Sequence, residues 1–274
     1  MKSFSKAMRV AAAAAALAFG CATAAAPTAL AEGGNLVTFG DSIPANPTLE
    51  AYMAAKAAPE APHGNPCPTD AIGYGTRAAQ MLGMEPRDYS CAGASAFSGG
   101  RHITTEVDSA LRDGALNGDT RVVLITAGFN DTYVNGQMNR DQFIDAYKGA
   151  MIPQIDRIRA AAPNADIRIV GYPTMADGDF VCVTNWGNNV RDHTPMPFIR
   201  VFEDNAQWAQ VRLAEATGTR FVDLKPSTAN RGTCGNDGDR IMATLIDFGI
   251  GVRNLPLHLS PAGHEHVAHV AAGV

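Results

Sequence analysis

Along the chain, short runs of apolar and β-branched residues alternate with longer stretches in which apolar positions recur every three or four residues. Residues 35–39 form an apolar run of strand length that ends at Gly40. Residues 121–127, reading RVVLITA, are the clearest buried strand, because a strand covered on both faces loses its polar alternation. Residues 166–171 and 220–222 read as two more strands, and 87–91 as a weaker one. Helical spacing covers 71–82, 104–116, 139–162, 198–217 and 261–272. In the third of these, Phe143, Tyr147, Met151, Ile155 and Ile158 form one apolar stripe behind a candidate N-cap, Asn139, and Pro153 is placed to kink it. The last opens with Ser260 as N-cap and Pro261 at the first helical position.

Strands that alternate with helices predict a parallel α/β sheet, since parallel neighbours need crossover connections. Two stretches, 46–70 and 176–197, carry the Pro, Gly, Asn and Asp of loops. No repeat, heptad or low-complexity tract interrupts the pattern after residue 31.

The N-terminal apolar run has another meaning. Lys2, Lys6 and Arg9 precede an Ala-rich stretch over 10–19, too short to span a bilayer, and Ala29, Leu30 and Ala31 form an A-x-A site before Glu32. We read 1–31 as a signal peptide and 32–274 as one folded domain, hence a secreted or envelope protein without a transmembrane segment in its mature form. Gly20 and Cys21 raise a lipoprotein alternative, which the poor lipobox at Ala18 and Phe19 disfavours. Cleavage leaves 243 of 274 residues, enough for one sizeable core.

Charge and cysteines fit export. The leader holds three of the 22 basic residues and none of the 27 acidic ones, so the mature formal charge is −8, unsuited to nucleic acid or an anionic bilayer. Four cysteines remain, Cys67, Cys91, Cys182 and Cys234, an even number that implies two disulfides outside the cytosol. Sequence leaves three pairings open. Neighbour pairing, Cys67–Cys91 and Cys182–Cys234, closes loops of moderate length and is the one we expect. A zinc site is disfavoured by the absence of C-x-x-C spacing.

In an open parallel sheet chemistry sits at the carboxyl ends of the strands. That rule selects Gly40, Asp41 and Ser42 after the first strand, Gly128 to Asp131 after the strand at 121, and the turn around Gly93 between them. Ser42 offers a hydroxyl, while its own N–H, the Gly93 N–H and the Asn130 amide offer an oxyanion hole. Of the seven histidines, His258 lies in a short loop before the last helix, where it can reach a strand-end cleft; His264, His266 and His269 on that helix read as solvent-facing. Ile43, Phe129, Leu255 and Leu257 adjoin these positions as candidates for an apolar pocket.

Taken in order, G-D-S at 40–42, C-A-G-A-S around Gly93, G-F-N-D at 128–131 and L-P-L-H-L-S-P-A-G-H ending at His264 resemble the four blocks of the SGNH (GDSL-type) hydrolases, in the secreted bacterial esterase and lipase branch. The resemblance spans nearly all of the mature chain. It implies a three-layer α/β/α sandwich around a central parallel sheet, flavodoxin-like, and hydrolysis of acyl or lipid esters with Ser42 as nucleophile and His258 as general base. Carbohydrate O-acetyl ester hydrolysis is the alternative on the same site. One departure stands out: the family's D-x-x-H places an acid three residues before the histidine, and here that residue is Leu255. Either the Leu255 carbonyl holds the imidazole, which we favour, or a distant acid such as Asp223 does. Asp41 and Asp131 read as scaffold. The chemistry needs no metal or organic cofactor, only a small ester or lipid partner, and a monomer is expected. The rivals are a non-catalytic exported binding protein, and an α/β-hydrolase, disfavoured because no G-x-S-x-G elbow occurs.

Overall fold

The computed structural model describes residues 33–58, 67–250 and 254–274; the expected leader, its cleavage site and Cys21 lie outside them. In chain order the elements begin β1 (Asn35–Gly40), α1 (Ser42–Ala45), α2 (Leu49–Ala57), α3 (Tyr74–Met81), β2 (Glu85–Asp88), α4 (Ile103–Arg112), β3 (Thr120–Thr126), α5 (Phe129–Val134) and α6 (Arg140–Ala161). Then follow β4 (Asp166–Val170), β5 (Phe180–Val181), β6 (Thr184–Gly187), β7 (Val190–Arg191), β8 (Thr194–Pro195), α7 (Pro197–Thr217), β9 (Arg220–Val222), α8 (Lys225–Thr228), β10 (Ile246–Asp247) and α9 (Pro261–Ala272).

Five strands make one parallel sheet in the order β2-β1-β3-β4-β9, as the alternating pattern predicts. Period two in the strands divides the core between the two faces. Val37, Phe39, Val123, Ile125 and Ile169 join a cluster with the α6 stripe, while Leu36, Val122, Leu124 and Val170 join one with α3 and α9. Helices therefore cover both faces, giving the three-layer sandwich. All five members of the α6 stripe are buried, and Asn139 and Gln142 form a reciprocal capping box at its start. The helix continues through Pro153, which sits on its exposed side.

The weak strand lies at 85–88 rather than 87–91, on the sheet edge, where Pro86 and charged neighbours are tolerated. Both expected loops contain elements. Helix α2, capped by the Thr48 side chain, buries no residue and so leaves no periodic apolar signal. The stretch 176–197 carries β5 to β8, paired as short antiparallel ribbons, with β6 also joined to β10. The disulfides pair as expected: Cys67–Cys91 ties the segment before α3 to the turn after β2, and Cys182–Cys234 ties the ribbons to the loop before β10. No helix among the described residues is long and apolar enough to cross a membrane.

From β1 the chain steps to β2 on one side and then to β3 on the other. The carboxyl ends of β1 and β3 thus diverge at a switch point, where open sheets hold their ligands.

Candidate active site

At that switch point the first group is Ser42. Strand β1 ends at Gly40, whose φ of 146° and close approach to the Thr126 carbonyl leave no room for a Cβ. Asp41 caps α1, its Oδ1 accepting the Ile43 N–H at 2.9 Å, and half-buried Ser42 opens the short helix at the edge of a cavity. Below the turn, buried Glu106 of α4 accepts the Gly40 N–H at 2.8 Å, a brace that sequence reasoning missed because α4 is distant in the chain. Burial raises the Glu106 carboxyl well above its usual range.

His258 reaches Ser42 from the loop before α9. Its Nε2 lies 2.7 Å from Ser42 Oγ, and its Nδ1 lies 2.7 Å from the Pro256 carbonyl oxygen. The carbonyl that meets the ring is therefore that of Pro256, not of Leu255. Leu257 adopts a left-handed φ of 60°, which folds the ring back two residues instead of three, while Leu255 is buried. Because a carbonyl only accepts, Nδ1 carries the proton and Nε2 presents its lone pair to the serine hydroxyl. Burial lowers the His258 pKa, partly offset by the bond to Pro256. Asp223 is not brought to this histidine; its Oδ1 accepts from Gln207 Nε2 and from the Lys225 N–H at the start of α8.

The turn with Gly93 is fastened to both strand ends. Cys91 N–H donates to the Gly40 carbonyl at 2.8 Å, and Asn130 Nδ2 donates to the Ala94 carbonyl at 2.7 Å. Gly93 takes a φ of 87°. Among the described residues no acceptor is paired with the N–H of Ser42 or of Gly93, and one hydrogen of the Asn130 amide remains for a ligand. Asp131, beside Asn130, is buried and accepts the N–H groups of Ala96, Phe97 and Ser98 and the Ser98 hydroxyl, at 2.6–3.0 Å. Asp41 is braced as well: Tyr172 donates its hydroxyl to Oδ2 and accepts the Phe129 N–H, so the ends of β1, β3 and β4 are linked. Burial pushes Asp41 up to about 7.

Beside Ser42 and His258 opens a cavity of about 290 Å³. Ile43, Phe129 and Leu257 line it as expected, and Leu255 does not. Tyr133, Met175, Ile199 and Met242 also line it; they come from four separate segments, and only tertiary packing gathers them.

The terminal helix corrects one expectation. His264 is buried, because α9 turns Gly263, His264, Val267, Ala268 and Ala271 inward, and burial lowers its pKa to about 3. His266 Nε2 lies 3.0 Å from Ser227 Oγ, a second serine–histidine contact. Here Arg231 donates to Nδ1 at 3.2 Å, so Nε2 must carry the proton of a neutral ring and cannot take one from Ser227. The one cluster of metal-ligand atoms among the described residues joins His193 to Cys182 and Cys234, whose sulfurs are already in a disulfide.

This geometry has counterparts. The family of GDSL-like lipases and acylhydrolases matches residues 38–266. Lipase 2 of Streptomyces coelicolor is 26% identical over 258 residues, covering 82% of this chain and 85% of that one. Among solved structures, phospholipase A1 from Streptomyces albidoflavus superposes with a TM-score of 0.56 at 17% identity, over 88% of this chain and 98% of its own. An extracellular lipase from Streptomyces rimosus does so with a TM-score of 0.54 at 18% identity, over 87% and 97%. With three motif blocks following strands of one parallel sheet, the fourth in the loop before α9, and the family match spanning all four, the chain belongs to the GDSL-like lipase/acylhydrolase family and is an ester hydrolase.

Proposed function

We propose that this hydrolase cleaves acyl or lipid esters through an acyl-enzyme on Ser42, with His258 as general base. The observation that carries the reading is the His258 Nε2 to Ser42 Oγ contact of 2.7 Å, with Nδ1 committed to the Pro256 carbonyl. His258 takes the Ser42 proton as Oγ attacks the ester carbonyl. The oxyanion forms among the N–H groups of Ser42 and Gly93 and the Asn130 amide; removing one such donor costs on the order of 100- to 1,000-fold in rate. His258 then gives its proton to the departing alcohol, and water, deprotonated by the same ring, releases the acid. A mature chain secreted after cleavage before Glu32 fits the two disulfides and the extracellular lipase among its structural counterparts.

Acyl esters are favoured over sugar acetates because Ile43, Phe129, Met175, Ile199 and Met242 supply most of the lining, while the polar groups that also border the cavity, Tyr133, Tyr172 and Glu203, already bond to Asn130, Asp41 and the Met175–Ala176 backbone with Lys225. The test is turnover of p-nitrophenyl butyrate by the mature chain, Ser42→Ala and His258→Ala. Both variants should lose more than about 1,000-fold in kcat/KM. Hydrolysis surviving in Ser42→Ala rejects the mechanism.

A further inference from the structure

We infer that the cavity beside Ser42 is an acyl-chain chamber whose far wall, built by Met175 and Ile199, makes the enzyme selective for acyl groups of medium length. The inference rests on Ser42 being the nucleophile.

The cavity runs across the sheet end. Ser42 and Ile43 follow β1, Phe129 and Asn130 follow β3, and Pro173 and Met175 follow β4. Neighbouring strands lie about 4.8 Å apart, so the end of β4, which leads to Met175, stands roughly 10 Å from the end of β1, which leads to Ser42. Size agrees with that span. An apolar cavity of about 150 Å³ takes a benzene ring, so the 290 Å³ here accept roughly six to ten carbons of a flexible chain. An acetyl group leaves such a space mostly empty, and two lipid chains overfill it.

The far wall is held in place. The buried Glu203 carboxylate accepts the Met175 N–H at 2.7 Å and the Ala176 N–H at 3.2 Å, and pairs with Lys225 Nζ at 2.7 Å. Ile199 stands four residues before Glu203 on α7, so one helix carries both part of the wall and its clamp. The unbranched side chains of Met175 and Met242 can mould to a saturated chain.

The chamber holds the acyl part because the alcohol has to leave, and water has to enter, before the acyl-enzyme is hydrolysed. The group that stays in the cavity through both steps is the one bonded to Ser42.

The experiment measures kcat/KM for p-nitrophenyl esters from acetate to palmitate, and for a matched set of alkyl acetates in which only the alcohol lengthens. Wild type, Met175→Ala, Ile199→Ala and Ile199→Trp are compared. Wild type should gain up to about fourfold per methylene until the chamber fills, and then fall. The ratio of laurate to hexanoate should rise about tenfold in Met175→Ala and Ile199→Ala and drop in Ile199→Trp, with the alkyl acetate profile unmoved. Variants that rescale every acyl length by one factor, or that shift the alcohol series instead, overturn the inference. Ser42→Ala assayed alongside separates the two levels: its retained activity removes the nucleophile, whereas an inactive Ser42→Ala with unshifted acyl profiles removes only the chamber.

Discussion

The Pro256 carbonyl oxygen lies 2.7 Å from His258 Nδ1, in the place where a serine hydrolase triad would set a carboxylate. A main-chain oxygen fixes the tautomer and the ring's direction but carries no full charge to stabilise the imidazolium.

That relationship bears first on Asp223. Since Asp223 is occupied by Gln207 and Lys225, Asp223→Asn should change kcat/KM for p-nitrophenyl butyrate by less than about threefold, against about 10,000-fold when a true triad aspartate is replaced. A loss of several hundredfold would show that the acid reaches His258 during turnover.

Activity should also depend on pH through His258. A general base works only when neutral, and burial holds this ring below the ordinary histidine value of 6.5. The acid limb of kcat/KM should therefore fall below pH 6.5. A midpoint at or above 7 in a pH–rate profile contradicts the assignment.

Stability should move the other way with pH, through Asp41. Folding raises its carboxyl from 3.8 to about 7, so between those values the folded chain binds more protons than the unfolded one. Stability is then lost as pH rises through that window, by on the order of 1–4 kcal/mol from this residue. Urea midpoints at pH 5 and pH 8 should diverge more for wild type than for Asp41→Asn, and equal changes in the two proteins count against it.

Asp131 supplies four acceptor contacts to the 96–98 segment beside the Gly93 turn. Asp131→Ala strands those buried donors and should cost roughly 3–5 kcal/mol of stability. Thermal melting with parallel kinetics is the check; a variant that melts like wild type means that the segment is held by other bonds.

The Cys67–Cys91 disulfide joins residues 24 apart and ends in the same turn. Replacing both cysteines by serine should cost about 3 kcal/mol through freedom regained by the unfolded chain. If the bridge also aligns the Gly93 N–H, kcat should drop while KM holds. Unchanged kcat would confine the bridge to stability.

Much of this protein was legible in its residues because the signals are local. The α6 stripe, the strand over 120–126 and the Ser260 cap each depend on periodicity or on neighbours a few positions away, and the structure has them where the pattern puts them. Errors arose where a tertiary partner decides. Helix α2 buries nothing and so shows no stripe, while His264 is buried only because α9 packs against α3.

The same division holds at the site. Sequence alone determined the family, the parallel sheet and the candidate chemistry of Ser42, Gly93, Asn130 and His258, because motif blocks are written in contiguous residues. Only tertiary structure decided that Pro256 holds the imidazole, that Glu106 braces Gly40, and that Met175, Ile199 and Met242 share one cavity with Ser42. The first hangs on a single left-handed φ at Leu257, and the others join groups dozens of residues apart. Contacts of that kind follow from how the sheet and its helices pack, and no short stretch of chain contains them.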